Sequence, residues 1–100
     1  MGVEIKTKGR TMTALIDGEI DHHTAKDIRE KIDMEASRVN PSTLELDFGG
    51  VKFMDSSGIG LVIGRYKMIS LIGGTLKVIN VPANISRVMK LSGLGALGVI

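Results

Sequence analysis

The residues best suited to chemistry lie in one short segment, D-S-S-G-I-G-L-V-I-G, at residues 55–64. It contains one carboxylate followed by two hydroxyls and three glycines, which are Asp55, Ser56, Ser57, Gly58, Gly60 and Gly64. Two interpretations of the serine pair stay open. One serine could cap the start of a helix with its side-chain oxygen. Alternatively, one could accept a phosphoryl group, because a helix N-terminus tolerates negative charge.

Nucleotide-binding motifs fit this segment poorly. A Walker loop needs Gly-Lys-Ser/Thr ahead of its helix, and the segment contains no lysine. A dinucleotide fingerprint needs glycines in the pattern G-x-G-x-x-G and an acidic residue about twenty positions later. The glycine spacing here differs, and no acidic residue follows Asp55.

A serine hydrolase and a metal site are also disfavoured. The only histidines, His22 and His23, are adjacent, and neither serine lies in a G-x-S-x-G elbow. Glu19 and Asp21 stand close to the histidines in the sequence, but the common zinc spacings are absent. We therefore interpret the histidines as solvated loop residues, and we expect no catalytic residue, metal or cofactor.

The elements that must position this segment follow from the hydrophobic pattern. Apolar residues that alternate with polar ones predict strands, and apolar residues at helical spacing predict helices. The predicted strands are residues 3–9, 12–18, 43–48 and 75–81, and the predicted helices are residues 24–38 and 57–71 with a short helix within 84–93. Loops are predicted over 17–23 and 49–56, and residues 96–100 could begin one more strand. Thr24 with Asp27 resembles a capping box, and Asn84 is the predicted N-cap of the third helix.

This order of elements predicts one α/β domain. Strands that alternate with helices imply crossover connections and therefore a largely parallel sheet. The first two strands, around a turn at residues 8–10, form a hairpin. We therefore expect a mixed, mostly parallel β-sheet with an N-terminal hairpin and helices packed against it.

The predicted helix at 57–71 is apolar on two stripes. The first stripe is sufficient to cover the sheet, and it consists of Ile59, Val62, Ile63, Tyr66 and Ile69. The second lies beside Arg65 and consists of Leu61, Met68 and Ile72. Neighbouring helices could bury the second stripe, or part of it could be a docking face that the glycines open to another backbone.

The composition excludes several classes of protein. The 100 residues are 43% hydrophobic and contain no cysteine, which fits one small domain without disulfides or thiol catalysis. The longest apolar segment, residues 58–72, carries two basic residues and is shorter than the roughly twenty residues of a membrane span. The first ten residues do not resemble a signal peptide. We therefore expect a cytoplasmic protein that does not enter a membrane.

Charge is distributed unevenly along the chain. All eleven acidic residues lie between Glu4 and Asp55, whereas residues 56–100 carry five basic residues. Chance could produce this asymmetry, as could an acidic C-terminal element that lies beyond this sequence. Nucleic-acid binding is disfavoured, because the net charge is only +2, the basic residues are scattered and only three aromatic residues could stack on bases.

Three segments together resemble the STAS-domain anti-sigma factor antagonists, or anti-anti-sigma factors, of the sporulation type. They are G-E-I-D-H-H-T-A at 18–25, F-M-D-S-S-G-I-G at 53–60 and G-R-Y-K at 64–67. Their order and spacing agree along nearly the whole chain, and G-G at 73–74 and L-S-G-L-G at 91–95 also fit. The D-S-S-G motif alone is moderately specific, whereas the combination is strong.

The resemblance implies a non-enzymatic switch in transcription regulation. The unmodified antagonist would bind an anti-sigma factor and free the sigma factor that it holds. That anti-sigma factor would also be a serine kinase, using ATP and Mg²⁺ to phosphorylate the first serine of D-S-S-G, here Ser56. A metal-dependent protein serine phosphatase would reverse the modification. No nucleic acid and no membrane is implied as a partner.

The resemblance also implies roles for residues around the acceptor. Asp21 would lie beside Ser56 on the partner-binding surface, while Asp55, Ser57, Gly58 and Gly60 would shape the loop and the helix start. Family members usually carry a further helix after a strand near L-G-V-I at 97–100. We therefore expect the STAS domain at residues 1–100 to lack a C-terminal helix.

Two rival functions stay open. The first is a STAS domain that uses the same surface in a general-stress switch or another partner-switching signalling assembly. The second is a small enzyme or nucleotide-binding domain built on Asp55, Ser56 and His22. Partner-binding assays test the first, and a nucleotide titration without a partner tests the second.

Overall fold

Four strands and three α-helices make up the computed structural model, which describes residues 2–100. In chain order they are β1 (Gly2–Lys8), β2 (Thr11–Ile20), α1 (Thr24–Val39), β3 (Thr43–Met54), α2 (Ser56–Leu71), β4 (Thr75–Ile79) and α3 (Ala83–Leu91), followed by a short 3₁₀ helix (Leu94–Leu97). The three predicted helices and four predicted strands are confirmed.

The strands form one sheet in the order β1-β2-β3-β4. β1 and β2 are antiparallel, whereas β2 with β3 and β3 with β4 are parallel. Gly9, in the two-residue loop between Lys8 and Thr11, has a φ of 61°, a conformation that glycine adopts without a Cβ clash. The predicted mixed sheet with an N-terminal hairpin is therefore confirmed.

One face of the sheet carries the hydrophobic core. Alternate residues of the strands are buried on this face, namely Met12, Ala14 and Ile16 of β2, Leu44, Leu46 and Phe48 of β3, and Leu76 and Val78 of β4. The helices add Ile28, Ile32, Val62, Ile69, Ile85 and Met89 to the same cluster. Burying each Val, Leu, Ile, Phe or Met side chain of this cluster stabilises the fold by about 1.5–3 kcal/mol. The opposite face is polar, as in the 2.9 Å hydrogen bond that Thr13 Oγ1 donates to Glu45 Oε1.

Two loop predictions are wrong, because β2 and β3 both extend further than expected. Residues 17–20 belong to β2 and residues 49–54 to β3. Pairing between the two strands continues through register irregularities at Leu15/Asp17 and Gly18/Glu19. Gly50 permits this close pairing, since a Cβ there would lie 2.8 Å from Cβ of Asp17. Glycine and aspartate predicted loops, but contacts between distant segments decide the structure.

The C-terminal predictions also need correction. Asn84 is not the N-cap of α3, because the helix begins at Ala83 and Pro82 precedes it. Residues 96–100 form no strand, since Leu94–Leu97 is a 3₁₀ helix. Among residues 2–100, one backbone hydrogen bond joins this region to the sheet, from the Val78 N–H to the Val99 carbonyl at 2.8 Å.

Candidate functional site

The segments singled out in the sequence meet at one edge of the sheet. Ile20 and Met54, the last residues of β2 and β3, are direct neighbours in the parallel pair. Asp21 and Asp55 follow them, so both aspartates lie where the carboxyl ends of two adjacent strands meet. The Asp55 N–H donates to the Ile20 carbonyl at 3.1 Å, which holds the two strand ends together.

Asp55 caps helix α2. Its Oδ1 accepts a 2.8 Å hydrogen bond from the Ser57 N–H, and its carbonyl accepts from the Gly58 N–H at 3.0 Å. Ser56 is the first residue of the helix and is exposed, whereas Ser57 is half-buried. The sequence suggested that one of the two serines could cap this helix, but the preceding residue, Asp55, is the cap. Within residues 2–100 the Ser56 hydroxyl has no hydrogen-bond partner.

Asp21 performs the corresponding task at the start of α1. Its Oδ1 accepts from the N–H groups of His23 and Thr24 at 2.8 and 3.0 Å, and the Thr24 hydroxyl accepts from the Asp21 N–H at 3.0 Å. The backbone bond from Thr24, followed by that from His23, lowers the pKa of Asp21, because both stabilise the carboxylate. The predicted capping box between Thr24 and Asp27 is wrong, since Asp21 already satisfies the free N–H groups and Thr24 bonds back to it.

The glycines of α2 divide into two kinds. Gly58 is buried against Met54, and a Cβ at this position would overlap Cγ and Sδ of that side chain. Gly60 and Gly64 face open space, and a Cβ added at either position would meet no atom within 4 Å. Gly58 therefore brings the helix close to the end of β3, whereas Gly60 and Gly64 leave the backbone of α2 uncovered by side chains of their own.

A groove of about 420 Å³ runs between α1 and α2 beside the two serines. Its walls include Ser57, Gly60 and Gly64 from α2, and His22, Ala25, Lys26 and Arg29 from α1 or the turn before it. The bare backbone of α2 thus faces a basic rim on α1. Of the predicted site residues, Ser57 and Gly60 line the groove, while Asp21, Asp55 and Gly58 fix the helix ends beside it.

Arg65, which lines this groove, forms an ion pair with Asp33 across the two helices. Nε of Arg65 lies 2.8 Å from Oδ1 of Asp33, although its N–H does not point along the line to the oxygen. Arg65 is buried, and the loss of water lowers its pKa while the charge of Asp33 opposes that shift. The contact is therefore a partly buried ion pair that ties α2 to α1.

The second apolar stripe of α2 is divided in its use. Leu61 is buried and Met68 packs against the core, so neighbouring elements cover these two residues. Ile72 is 55% exposed at the far end of the helix. The exposed surface next to the serines is therefore built from glycines rather than from this stripe.

The sequence interpretation missed Phe53. This aromatic side chain is 53% exposed at the end of β3, two residues before Asp55. Alternation could have identified it, because the buried neighbour Met54 must point to the opposite face from Phe53. It adds a large apolar side chain to the edge that carries Asp21, Asp55 and Ser56.

Among residues 2–100, no group of three or more His, Asp or Glu side chains is arranged to hold a metal ion. None of the helices in this range is long and apolar enough to cross a membrane.

Comparison with known proteins yields a consistent set of matches. A family model described as the STAS domain matches residues 2–98. The anti-sigma F factor antagonist of Paenibacillus polymyxa is 34% identical over 92 residues, which cover 92% of this chain and 79% of that protein. The anti-sigma-B factor antagonist of Bacillus subtilis is 32% identical over 94 residues, covering 94% of this chain and 84% of that protein.

Two solved structures share this architecture at 32% identity. The unphosphorylated form of the anti-sigma factor antagonist SpoIIAA has a TM-score of 0.84 and aligns with 95% of this chain and 84% of its own. The phosphorylated form of the Bacillus cell fate determinant SpoIIAA has a TM-score of 0.76 and aligns with 95% of this chain and 86% of its own. The same fold thus matches both a phosphorylated and an unphosphorylated relative.

Proposed function

We propose that this chain, which belongs to the STAS domain family, is an anti-sigma factor antagonist that works by partner switching. In its unphosphorylated form it binds an anti-sigma factor and thereby frees a sigma factor. Phosphorylation of Ser56 switches it off. The relatives named as anti-sigma F and anti-sigma-B factor antagonists support this function, as do the two forms of SpoIIAA.

The observation that carries the proposal is the accessibility of Ser56. This residue is exposed at the first position of α2, and its hydroxyl has no hydrogen-bond partner among residues 2–100. Asp55 makes the cap, so the serine is not required to hold the helix. The serine can therefore be reached by a kinase and can accept a phosphoryl group without loss of the helix cap.

The partner is an anti-sigma factor that is also a serine kinase, and a protein serine phosphatase restores the unmodified form. These proteins act where transcription takes place, which puts this chain in the cytoplasm. The docking surface comprises Asp21, Asp55, Ser57 and Gly60, and the buried Gly58 shapes the helix start beneath it. Gly60 faces open space, so a backbone segment of the partner can approach α2 there more closely than a Cβ would allow.

Charge explains how one phosphoryl group releases the partner. Phosphorylated Ser56 carries nearly two negative charges next to the carboxylate of Asp55. In a complex these charges must lose water and face each other, which costs free energy that the partner has to offset. A cost of about 3 kcal/mol weakens binding more than a hundredfold. No change of fold is required.

A second candidate function is a general-stress switch. The anti-sigma-B factor antagonist of Bacillus subtilis is 32% identical to this chain, and the match covers a share of its length similar to that of the anti-sigma F relative. The comparison therefore supports a general-stress switch about as strongly as a sporulation switch. Both candidates use the same surface and differ in the identity of the anti-sigma factor. Binding to purified anti-sigma F and anti-sigma-B factors distinguishes them.

Phosphorylation mapping tests the proposal. The protein is incubated with an anti-sigma factor kinase and ATP, and intact-mass and peptide spectra are recorded. We expect one phosphoryl group on Ser56, no modification of Ser56→Ala and normal modification of Ser57→Ala. Transfer to Ser56→Ala would move the site to Ser57, and no transfer by any kinase that binds the protein would contradict the phosphorylation switch.

A further inference from the structure

Strand β1 leaves one edge of the sheet open. It pairs with β2 alone, and no strand within residues 2–100 lies on its other side. The Lys31 ammonium donates to the Val3 carbonyl at 3.1 Å, so this carbonyl faces away from β2. Because the direction of the backbone groups alternates along a strand, the N–H and C=O groups of Ile5 and Thr7 also face outward. These three residues form a template for another strand.

The charges of β1 are complementary to those of a second, antiparallel copy of the same strand. The strand reads G-V-E-I-K-T-K, with Glu4 and Lys6 on either side of Ile5. In an antiparallel pair of two copies centred on Ile5, each Glu4 lies opposite Lys6 of the second copy. Both side chains are exposed on the polar face of the sheet, and neither forms an ion pair within residues 2–100.

The backbone geometry fits the same register. With Ile5 opposite Ile5, the outward-facing groups of Ile5, Val3 and Thr7 form hydrogen-bonded pairs across the two-fold axis. Glu4 and Lys6 then occupy the non-hydrogen-bonded pairs, in which opposite side chains approach most closely. Opposite charges in such positions stabilise a strand pair. The same register would satisfy both the backbone and the charges.

We propose that β1 is a self-association edge, to which a second copy of this chain adds its own β1 in antiparallel orientation centred on Ile5. The result is one continuous eight-stranded sheet across a two-fold axis. A charge pattern that matches itself favours a second copy over an unrelated strand. The Lys31 side chain moves aside in the dimer, since Thr7 of the second copy takes its place at the Val3 carbonyl.

Reversing the charge of Glu4 or Lys6 alone, and then of both together, tests the proposal. Sedimentation velocity over a series of protein concentrations measures the dimer of the unaltered protein, Glu4→Lys, Lys6→Glu and the double variant. Each single change brings like charges together twice, and we expect it to raise the dimer Kd roughly tenfold or more. The double variant exchanges the two charges and restores every pair, so its Kd is expected to return to within about threefold of the original. High salt weakens the dimer of the unaltered protein.

Lys77→Glu is the matched control. Lys77 is exposed on the same face of the sheet and in the same row as Lys6, but it belongs to β4 at the opposite edge. We expect it to leave the Kd unchanged, and circular dichroism verifies that every variant is folded. A protein that stays monomeric at all concentrations overturns the proposal. So does a dimer that the single changes leave intact, or one that the double variant fails to restore.

Discussion

Asp21 and Asp55 show how a single residue type serves two neighbouring helix starts. Each follows the last residue of a strand, and the side chain of each accepts hydrogen bonds from backbone N–H groups of the next turn or helix. Because the carboxylates make these bonds, the hydroxyls of Ser56 and Ser57 are not required to satisfy the helix. The residue that caps α2 thus also leaves Ser56 available for modification.

The role of Asp55 as a cap can be separated from its charge. Asp55→Ala removes the acceptor of the Ser57 N–H, and we expect it to lower the free energy of unfolding by about 1 kcal/mol. Asp55→Ser retains a capping oxygen without a charge, so most of that stability should remain. Urea denaturation measures both. Equal losses for the two variants would show that the negative charge at the helix end, rather than the cap, stabilises α2.

At the scale of elements, α2 uses glycine for two opposite purposes. Gly58 allows the helix to contact Met54 at the end of β3, whereas Gly60 faces the groove between α1 and α2. The first glycine serves the packing of the domain and the second leaves its surface open. Both occur in the same helical turn and are indistinguishable by type.

Alanine at these two positions should therefore have opposite effects on stability. Gly58→Ala forces a methyl group into Met54, and we expect it to lower the free energy of unfolding by about 1–3 kcal/mol. Gly60→Ala meets no atom within 4 Å and improves helix propensity, so it should raise stability by up to about 1 kcal/mol. Thermal and urea denaturation measure both effects.

Gly60→Ala should weaken binding of the partner even though it stabilises the fold. If the partner approaches the bare backbone of α2, Gly60→Ala weakens binding of the anti-sigma factor despite its greater stability. Calorimetric titration measures this effect. Unaltered affinity in Gly60→Ala would show that the groove is not part of the docking surface.

The elements also show where prediction from the sequence succeeds and where it fails. Helical spacing of Ile28, Ile32 and Ala36 located α1, because a helix buries one face regardless of distant residues. The predicted loops over 17–23 and 49–56 are strand at residues 17–20 and 49–54, because the pairing of these two segments with each other outweighs the local preference of glycine and aspartate. The Thr24 capping box failed for a related reason, since Asp21 is held in place by the end of β2.

The sequence predicts which residues form the candidate site better than it predicts how they are arranged in space. The motif around Ser56 and the resemblance to a family identified the segments, and the strand ends explain why Asp21 and Asp55 are neighbours. The groove between α1 and α2 and the exposed Phe53 depend on how the elements pack. Such features arise from tertiary contacts, which one sequence specifies only indirectly.

At the scale of the whole molecule, one hydrophobic core supports the end of the sheet that carries Ser56. The core unites one face of the sheet with all three helices, so α2 cannot shift without disturbing Val62 and Ile69. The carboxyl ends of β2 and β3 lie beside Ser56, the proposed phosphorylation site. A phosphoryl group at this place changes the surface charge while the core remains as it is.

A negative charge at Ser56 should accordingly weaken binding of the partner strongly and leave the fold intact. In Ser56→Asp the new carboxylate lies at the N-terminus of α2, where the helix dipole favours it, and next to Asp55, which repels it. These effects largely offset each other at an exposed residue, so we expect the Tm to change by less than about 4 °C. Binding of the anti-sigma factor, measured by calorimetry, should weaken about a hundredfold or more.

Ser70→Asp is the matched control, because Ser70 is an exposed serine in the last turn of the same helix, and this variant should bind normally. If Ser56→Asp unfolds the domain, the switch acts through the fold, and if it binds as tightly as the unaltered protein, charge at this serine does not control the partner.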